Sequence, residues 1–170
     1  MAQETPNAPA DAGDLAAARD AAGCGAQAGI DRPLRESEAH WREVFEHNPV
    51  MYFMVDADGV VQSVNGFGAA QLGYRVDELV GQSVLAVFRE EDRPFVIEQM
   101  SICLGDPGLS HSWEVRKIRK DGSLLWVREN AKAVRRPDGF LVLVACEDIT
   151  ERRRTEDALR QSEMYLAEAQ

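Results

Sequence analysis

Hydrophobic and polar positions change their period along this chain, and the changes mark out its predicted elements. Residues 1–31 carry few large apolar side chains, which predicts a disordered leader. Apolar residues then fall on one helical stripe, which predicts an N-terminal flanking helix over residues 32–48. Pro49 ends this helix, because the residue before a proline avoids helical geometry. A sheet-and-helix core is predicted over residues 49–150, followed by a charged C-terminal helix over residues 151–170.

Inside the core, turn signals separate short runs that have the two-residue period of β-strands. Five strands are predicted: Met51–Val55, Val60–Val64, His111–Arg119, Leu124–Val134 and Phe140–Cys146. Asp58-Gly59 and Asp121-Gly122 supply hairpin turns between them. Short helices are predicted between Asn65 and Asp106, the longest being Glu90–Leu104. This order predicts an α+β fold class: a five-stranded antiparallel sheet with helices on one face and a flanking helix at each end.

Two sets of apolar side chains are expected to be buried by contacts from outside the core. Phe140–Cys146 is apolar at every position, so both faces of that strand are expected to be covered. The C-terminal helix has a thin stripe in which Leu159 and Leu166 lie one heptad apart, which is typical of a two-stranded coiled coil or a signalling linker. We therefore predict a homodimer with Trp41, Leu159 and Leu166 in or near its seam. The alternative is a solvated terminal helix.

A short sequence recurs about one domain length apart. Leu34-Arg35-Glu36-Ser37-Glu38 is echoed by Leu159-Arg160-Gln161-Ser162-Glu163. Repeats at a fixed period mark arrays, so a second copy of the module is predicted to begin near residue 159. The alternative is chance recurrence of a common helix composition.

Composition narrows the partners and the compartment. The 170 residues carry a formal charge of −10, which repels phosphate backbones and anionic lipid surfaces, so neither nucleic acid nor membrane is an expected partner. Cys24, Cys103 and Cys146 form no CxxC pair, which fits a reducing compartment and argues against a metal site. A cytoplasmic location is therefore predicted.

Joint order and spacing of several short motifs make the sequence resemble the PAS family over about residues 50–152. The motifs are Val55-Asp56-Ala57-Asp58-Gly59, Asn65, Leu72-Gly73-Tyr74, Asp77-Glu78-Leu79-Val80-Gly81, Glu91-Asp92-Arg93, Arg119-Lys120-Asp121-Gly122-Ser123, Trp126-Val127 and Asp148-Ile149-Thr150-Glu151-Arg152. The resemblance implies a sheet-and-helix cup that often holds a ligand, pairs as a dimer and passes a signal through its flanking helices.

Asp148-Ile149-Thr150 resembles the exit motif of that family. The resemblance implies that Asp148, Thr150 and Arg152 form the signal exit, with Asp148 pairing with Arg152 or Arg153 at the start of the last helix. The alternative is that Asp148 or Thr150 simply caps the helix.

The cup lining is predicted from the strand and helix periods. Its members are Phe53, Val55, Val96, Met100, Trp113, Val115, Val127 and Leu143. These side chains either fill the cup or surround a ligand, and the sequence leaves both open. Glu129 and Asn130 must face opposite sides, because strand neighbours alternate.

No cofactor is identified. The oxygen-sensing haem members of the family carry an axial histidine on the long helix, and Glu90–Leu104 has none; His111 fits a solvated strand end better than a haem ligand. The blue-light flavin members carry a cysteine soon after the glycine that is Gly81 here, and this chain lacks it. Non-covalent flavin or another small molecule stays open, with Trp113 as a stacking partner.

Catalytic motifs are missing from the sequence. It has no phosphate loop, no clustered metal ligands and no phosphoacceptor histidine pattern, so this chain is not expected to be an enzyme. We predict a sensory and dimerisation module of a bacterial-type signalling protein, with a sensor histidine kinase and its further PAS and kinase domains as the parent. The alternatives are a ligand-free interaction and dimerisation spacer, a regulatory domain of a cyclic-di-GMP enzyme or transcription regulator, and an independent small protein.

Overall fold

The computed structural model of the chain describes residues 32–169. The chain divides into two units between Glu43 and Val44. In the first unit, residues 32–43 are helical, and Arg32 Nε lies 3.1 Å from Glu36 Oε1 one turn along. The leader predicted over residues 1–31 lies outside the described residues.

The second unit contains the sheet and its helices. Helix α1 spans residues 32–47, and its last four residues belong to this unit. The strands are β1 (Met51–Asp56), β2 (Val61–Val64), β3 (Ser110–Ile118), β4 (Leu124–Arg136) and β5 (Gly139–Asp148). The further helices are α2 (Gly66–Gln71), α3 (Val76–Leu79), α4 (Arg93–Gly105) and α5 (Thr150–Glu168). Turns of 3-10 helix at Val84–Val87 and Glu90–Asp92 precede α4.

The prediction of an α+β class with a five-stranded antiparallel sheet is confirmed. Within the described residues, the strand order is β2-β1-β5-β4-β3, with every neighbouring pair antiparallel. The long helix differs at its start, because α4 begins at Arg93 after the separate turn Glu90–Asp92. Pro94 occupies the first turn of α4, where a missing backbone N–H costs no helical hydrogen bond.

The turn between β1 and β2 forms as its residues predict. Asp56 Oδ1 accepts hydrogen bonds from the backbone N–H groups of Asp58 at 3.0 Å and Val60 at 2.9 Å. Gly59 adopts φ +81°, a left-handed conformation that favours glycine. The turn thereby sets the pairing of the first two strands.

Buried side chains lie on one face of the sheet and beneath the helices that cover it. Strand positions in this core include Phe53, Val55, Val115, Leu125, Val127, Val142 and Val144; Leu72, Leu79, Phe88, Val96 and Cys103 come from the covering segments. A sheet covered on this face by short helices forms the predicted cup.

Asn65 joins three segments at one end of this core. Its fully buried side-chain amide donates to the carbonyls of Phe45 at 3.0 Å and Val50 at 2.8 Å. Its Oδ1 accepts from the backbone N–H groups of Tyr52 and Gly68, each at 3.0 Å. A Cβ at Gly68 would lie 2.8 Å from Oδ1, so this arrangement requires glycine at that position. The end of α1, the start of β1 and the first turn of α2 are thus held by one side chain.

Candidate functional site

A charged pair lies inside the cup. Lys117 Nζ is 2.6 Å from Glu129 Oε1, and the two side chains are only 1% and 4% exposed. Lys117 lies on β3 and Glu129 on β4, both on the face that points into the core. Burying two charges costs several kcal/mol per ion unless they are paired and hydrogen-bonded, so this site is unusual for a plain core.

Further contacts saturate the carboxylate of Glu129. Trp113 Nε1 donates to Oε2 at 2.7 Å, and the Cys146 thiol donates to Oε1 at 3.5 Å. Strand register places both donors, because Trp113 and Cys146 each lie opposite Glu129 on a neighbouring strand. Trp113 therefore has a polar role at the cup wall in addition to its packing.

The ammonium of Lys117 faces two aromatic rings. Nζ lies 4.1 Å from the ring centroid of Phe88 and 5.1 Å from that of Phe53. The negative faces of such rings attract a cation. Burial alone would lower the pKa of Lys117, but attraction to Glu129 and their hydrogen bond outweigh it, and the pKa is raised. Lys117 is therefore a buried cation at neutral pH.

The described cysteines lie in environments that suppress thiolate formation. Burial raises the pKa of the Cys146 thiol far above its ordinary value, and burial also raises the pKa of Cys103. The thiolate is the reactive form of cysteine, so both are poorly placed for redox chemistry. Cys24 lies outside the described residues.

Little empty space remains beside the charged pair. A cavity of about 10 Å³ is bounded by Lys117, Glu129 and their apolar neighbours, and it has room for about one water molecule. A separate groove of about 320 Å³ opens at the surface between the β1–β2 turn, the turn Val84–Val87 and α4. Val84 and Met100 line both spaces and so form the wall between them.

Seven of the eight predicted cup residues lie on the interior side. Phe53, Val55, Val96, Met100 and Trp113 border the small cavity, while Val115 and Val127 are buried in the surrounding core. Their role in holding a ligand stays a prediction.

Leu143 is the exception, and its predicted place in the cup is wrong. It is 38% exposed on the outer face of the sheet, while its neighbours Val142 and Val144 are buried on the inner face. The uniformly apolar run hides the phase of the alternation, which only the pairing of β5 with its neighbours determines. The outer face of this strand is open at the same position in the single chain, so its cover by a partner chain stays a prediction.

Lys117 and Phe88 were missed by reasoning from sequence. The alternation that places Trp113 and Val115 inside also places Lys117 inside, and this was the available signal. A lysine near the end of a strand ordinarily lies in solvent, which argues against that position. Of the two polar candidates on β4, Glu129 faces inward and Asn130 is exposed.

At the predicted signal exit, Asp148 and Thr150 fasten the start of α5. Asp148 Oδ1 accepts from the backbone N–H of Thr150 at 2.9 Å, and Thr150 Oγ1 accepts from the backbone N–H of Trp126 at 3.0 Å. The backbone N–H of Ile149 also donates to the Trp126 carbonyl at 2.9 Å. The first turn of α5 is thereby tied to β4.

The expected pairing of Asp148 with Arg152 or Arg153 is wrong. Both arginines pair with Glu114 on the outer face of β3, at 2.9 Å and 2.6 Å. Arg128 on β4 joins the same carboxylate at 3.1 Å. Asp148 turns to the backbone N–H of Thr150, which leaves Glu114 as the anchor for the arginines. We call Glu114, Arg128, Arg152 and Arg153 the outer tie.

Electrostatics and stacking hold the outer tie together. Hydrogen bonds from Arg153 and Arg128 lower the pKa of Glu114, so its carboxylate is ionised at neutral pH. The guanidinium of Arg153 also stacks 3.8 Å from the ring centroid of Trp126. The start of α5 thus rests on the sheet face opposite the cup.

The three predicted seam residues lie at exposed positions. Trp41, Leu159 and Leu166 are 54%, 61% and 65% exposed. Their role in a dimer seam stays a prediction. His111, the one histidine weighed as a haem ligand, is half-buried at the start of β3.

Within residues 32–169, no group of three or more histidine, cysteine or acidic side chains is placed to hold a metal ion. No helix there is long and apolar enough to span a membrane.

Comparison with known proteins gives consistent matches. The family described as the PAS fold matches residues 39–149. A probable diguanylate cyclase of Escherichia coli, DgcE, is 27% identical over 130 residues, 75% of this chain and 12% of its own length. The sensor histidine kinase TmoS of Ectopseudomonas mendocina is 23% identical over 137 residues, 79% of this chain and 14% of its own length. The chain therefore spans a small part of these relatives.

A solved structure shows the same architecture. The PAS domain of an HTR-like protein from Haloarcula marismortui superposes with a TM-score of 0.64 at 27% identity, covering 71% of this chain and 98% of that one.

Proposed function

The chain belongs to the PAS family, and we propose that it is a sensory module that relays a small-molecule cue from its cup to helix α5. The observation that carries the proposal is the placement of two polar clusters on opposite faces of β3 and β4. One is the buried Lys117–Glu129 pair inside the cup, and the other is the outer tie that holds α5.

Strand alternation connects these clusters. Trp113 faces the cup, and the residue after it, Glu114, faces outward into the outer tie. Glu129 faces the cup, and the residue before it, Arg128, faces outward into the same outer tie. Neighbouring residues of a strand share a rigid backbone, so a change that shifts the inner pair also shifts the outer carboxylate and guanidinium. A bound molecule in the cup would thereby alter the anchoring of α5.

A small molecule suits the site better than a redox cue. Cys103 and Cys146 are buried with raised pKa values, so neither is poised for oxidation. The cup instead offers a charged pair beside a cavity. A second function, a ligand-free dimerisation spacer, is favoured by one observation, the small volume of that cavity.

The parent output is proposed from the relatives. One relative is a sensor histidine kinase and another is a probable diguanylate cyclase. They support phosphotransfer and cyclic-di-GMP synthesis equally as the output of the parent protein. We further propose a cytoplasmic homodimer in a longer signalling chain, with further PAS or kinase domains as partners. The apolar stripe of α5 and the acidic composition support this proposal.

Amide hydrogen exchange of the full chain tests the relay. Glu114→Gln should speed exchange severalfold over residues 150–158, because the neutral amide holds the arginines of the outer tie less firmly. Glu147→Gln is the matched control, since Glu147 pairs with Arg128 at 3.7 Å, whereas Arg152 and Arg153 of α5 pair with Glu114.

An inner substitution separates the sensor from the spacer. Trp113→Phe removes the indole N–H from Glu129 and should also speed exchange over residues 150–158. In combination with Glu114→Gln the effect should not add, because both act through one connection. Unchanged exchange in α5 after Trp113→Phe would favour the spacer.

A further inference from the structure

In the buried pair of Lys117 and Glu129, the lysine has unused hydrogen-bond donors. A lysine ammonium has three donors. Glu129 is the one oxygen partner of Lys117 among the described residues, and the rings of Phe88 and Phe53 meet the rest of the cation. The Glu129 oxygens already receive Lys117, Trp113 and Cys146. The cup therefore has a donor to offer a guest, and little acceptor capacity.

Charge balance limits which guest can use that donor. Lys117 and Glu129 neutralise each other at a site that is almost closed to solvent. An anionic guest would leave a net negative charge there, and a cationic guest would leave a net positive one without an oxygen to receive it. Uncompensated buried charge is costly. A neutral oxygen acceptor keeps the site neutral and satisfies an ammonium donor.

Space for such a guest lies behind the wall formed by Val84 and Met100. Met100 is half-buried and packs against the core, and methionine is unbranched with three rotatable bonds. A rotamer change of Met100 would join the groove of about 320 Å³ to the cavity beside Lys117. That volume is at the lower end of small-molecule sites, enough for one ring with a short substituent.

We propose that the cup binds a neutral, mainly apolar molecule carrying a carbonyl oxygen, which displaces Met100 and accepts a hydrogen bond from Lys117 Nζ. The inference rests on the proposed sensory function and assigns its ligand class. Val84, Met100 and Ile97 supply apolar surface along the route, and Lys117 supplies the recognition.

Three probes of similar shape test the class. Acetophenone has the carbonyl, ethylbenzene replaces the carbonyl by a methylene, and benzoate carries a negative charge. Binding to the full chain is followed by two-dimensional NMR, with the Trp113 indole N–H as a reporter inside the cup. A hydrogen bond to a charged donor should make acetophenone bind about tenfold more tightly than either other probe.

Substitution at Met100 tests the route without touching the charged pair. Met100→Ala should strengthen acetophenone binding by removing the wall, and Met100→Phe should weaken it by thickening the wall. Each variant is checked for an unchanged fold by its backbone amide spectrum.

Defined outcomes overturn the inference. Equal binding of ethylbenzene shows that no oxygen is recognised, and equal or tighter binding of benzoate shows an anion site. Absence of binding of all three probes to the parent chain and Met100→Ala also overturns it. The exchange experiment on residues 150–158 uses no probe, so an intact relay with a failed probe panel would sink the ligand class alone.

Discussion

Removing one member of the buried pair should destabilise the fold strongly. Lys117→Met keeps most of the side-chain length but leaves Glu129 buried without its cation, and we expect a loss of about 3–5 kcal/mol in the free energy of unfolding. At the observed N–O distance of 2.6 Å, the attraction between the charges is about 6 kcal/mol at an effective dielectric constant of about 20. Desolvation of the two ions offsets most of this attraction, so the intact pair contributes little net stability.

A double-mutant cycle isolates this effect. Urea unfolding is followed by far-UV circular dichroism for the parent chain, Lys117→Met, Glu129→Gln and the double variant. Glutamine keeps an oxygen for the Trp113 indole. The double variant contains no buried charge, so it should lie within about 1–2 kcal/mol of the parent chain. Lys132→Met is the matched control, an exposed lysine on the outer face of β4, and should change stability by less than about 0.5 kcal/mol.

Two results would refute this reasoning. Additive losses in the double variant would show that the charges are not coupled. A loss for Lys117→Met no larger than that for Lys132→Met would show that Lys117 is hydrated in solution.

The other predictions concern association and pH. In sedimentation at micromolar concentration, the double variant Leu159→Glu/Leu166→Glu should have the mass of a monomer. The control Gln161→Glu adds charge on the opposite face of α5 and should remain a dimer. An unchanged mass of the double variant would contradict the predicted seam. Because the pKa of Lys117 in the folded chain is raised above its ordinary value of 10.5, its contribution is complete below that pH and declines as pH rises through the folded value. The urea midpoint should therefore fall more steeply above pH 10.5 in the parent chain than in the Lys117→Met/Glu129→Gln variant; parallel curves would contradict the raised pKa.

Local signals were sufficient for the order of the elements. Asp58-Gly59 and Asp121-Gly122 marked hairpin turns, and Gly59 and Gly122 both take the positive φ that such turns require. Element type follows from short-range periodicity, which a single sequence displays directly.

Contacts distant in sequence were the part that could not be predicted. Arg152 and Arg153 find Glu114 38 and 39 residues upstream, and Lys117 finds Glu129 across a strand pair. The predicted orientation of Leu143 is wrong for a related reason. In a uniformly apolar strand, only the pairing with neighbouring strands determines which side chains face the core. The candidate site is therefore a product of strand pairing more than of any local motif.

The buried pair also limits which sequences single mutations can reach from this one. Replacing Lys117 or Glu129 alone by a neutral residue leaves one buried charge unpaired, while replacing both restores neutrality. A neutral cup is therefore separated from this sequence by less stable single mutants, which form a fitness valley. A lineage crosses that valley only with stability in reserve or with two changes close in time. Positions 117 and 129 are therefore expected to vary together among descendants of this chain, as a charged pair or as a neutral one, while the outer face at position 132 drifts independently.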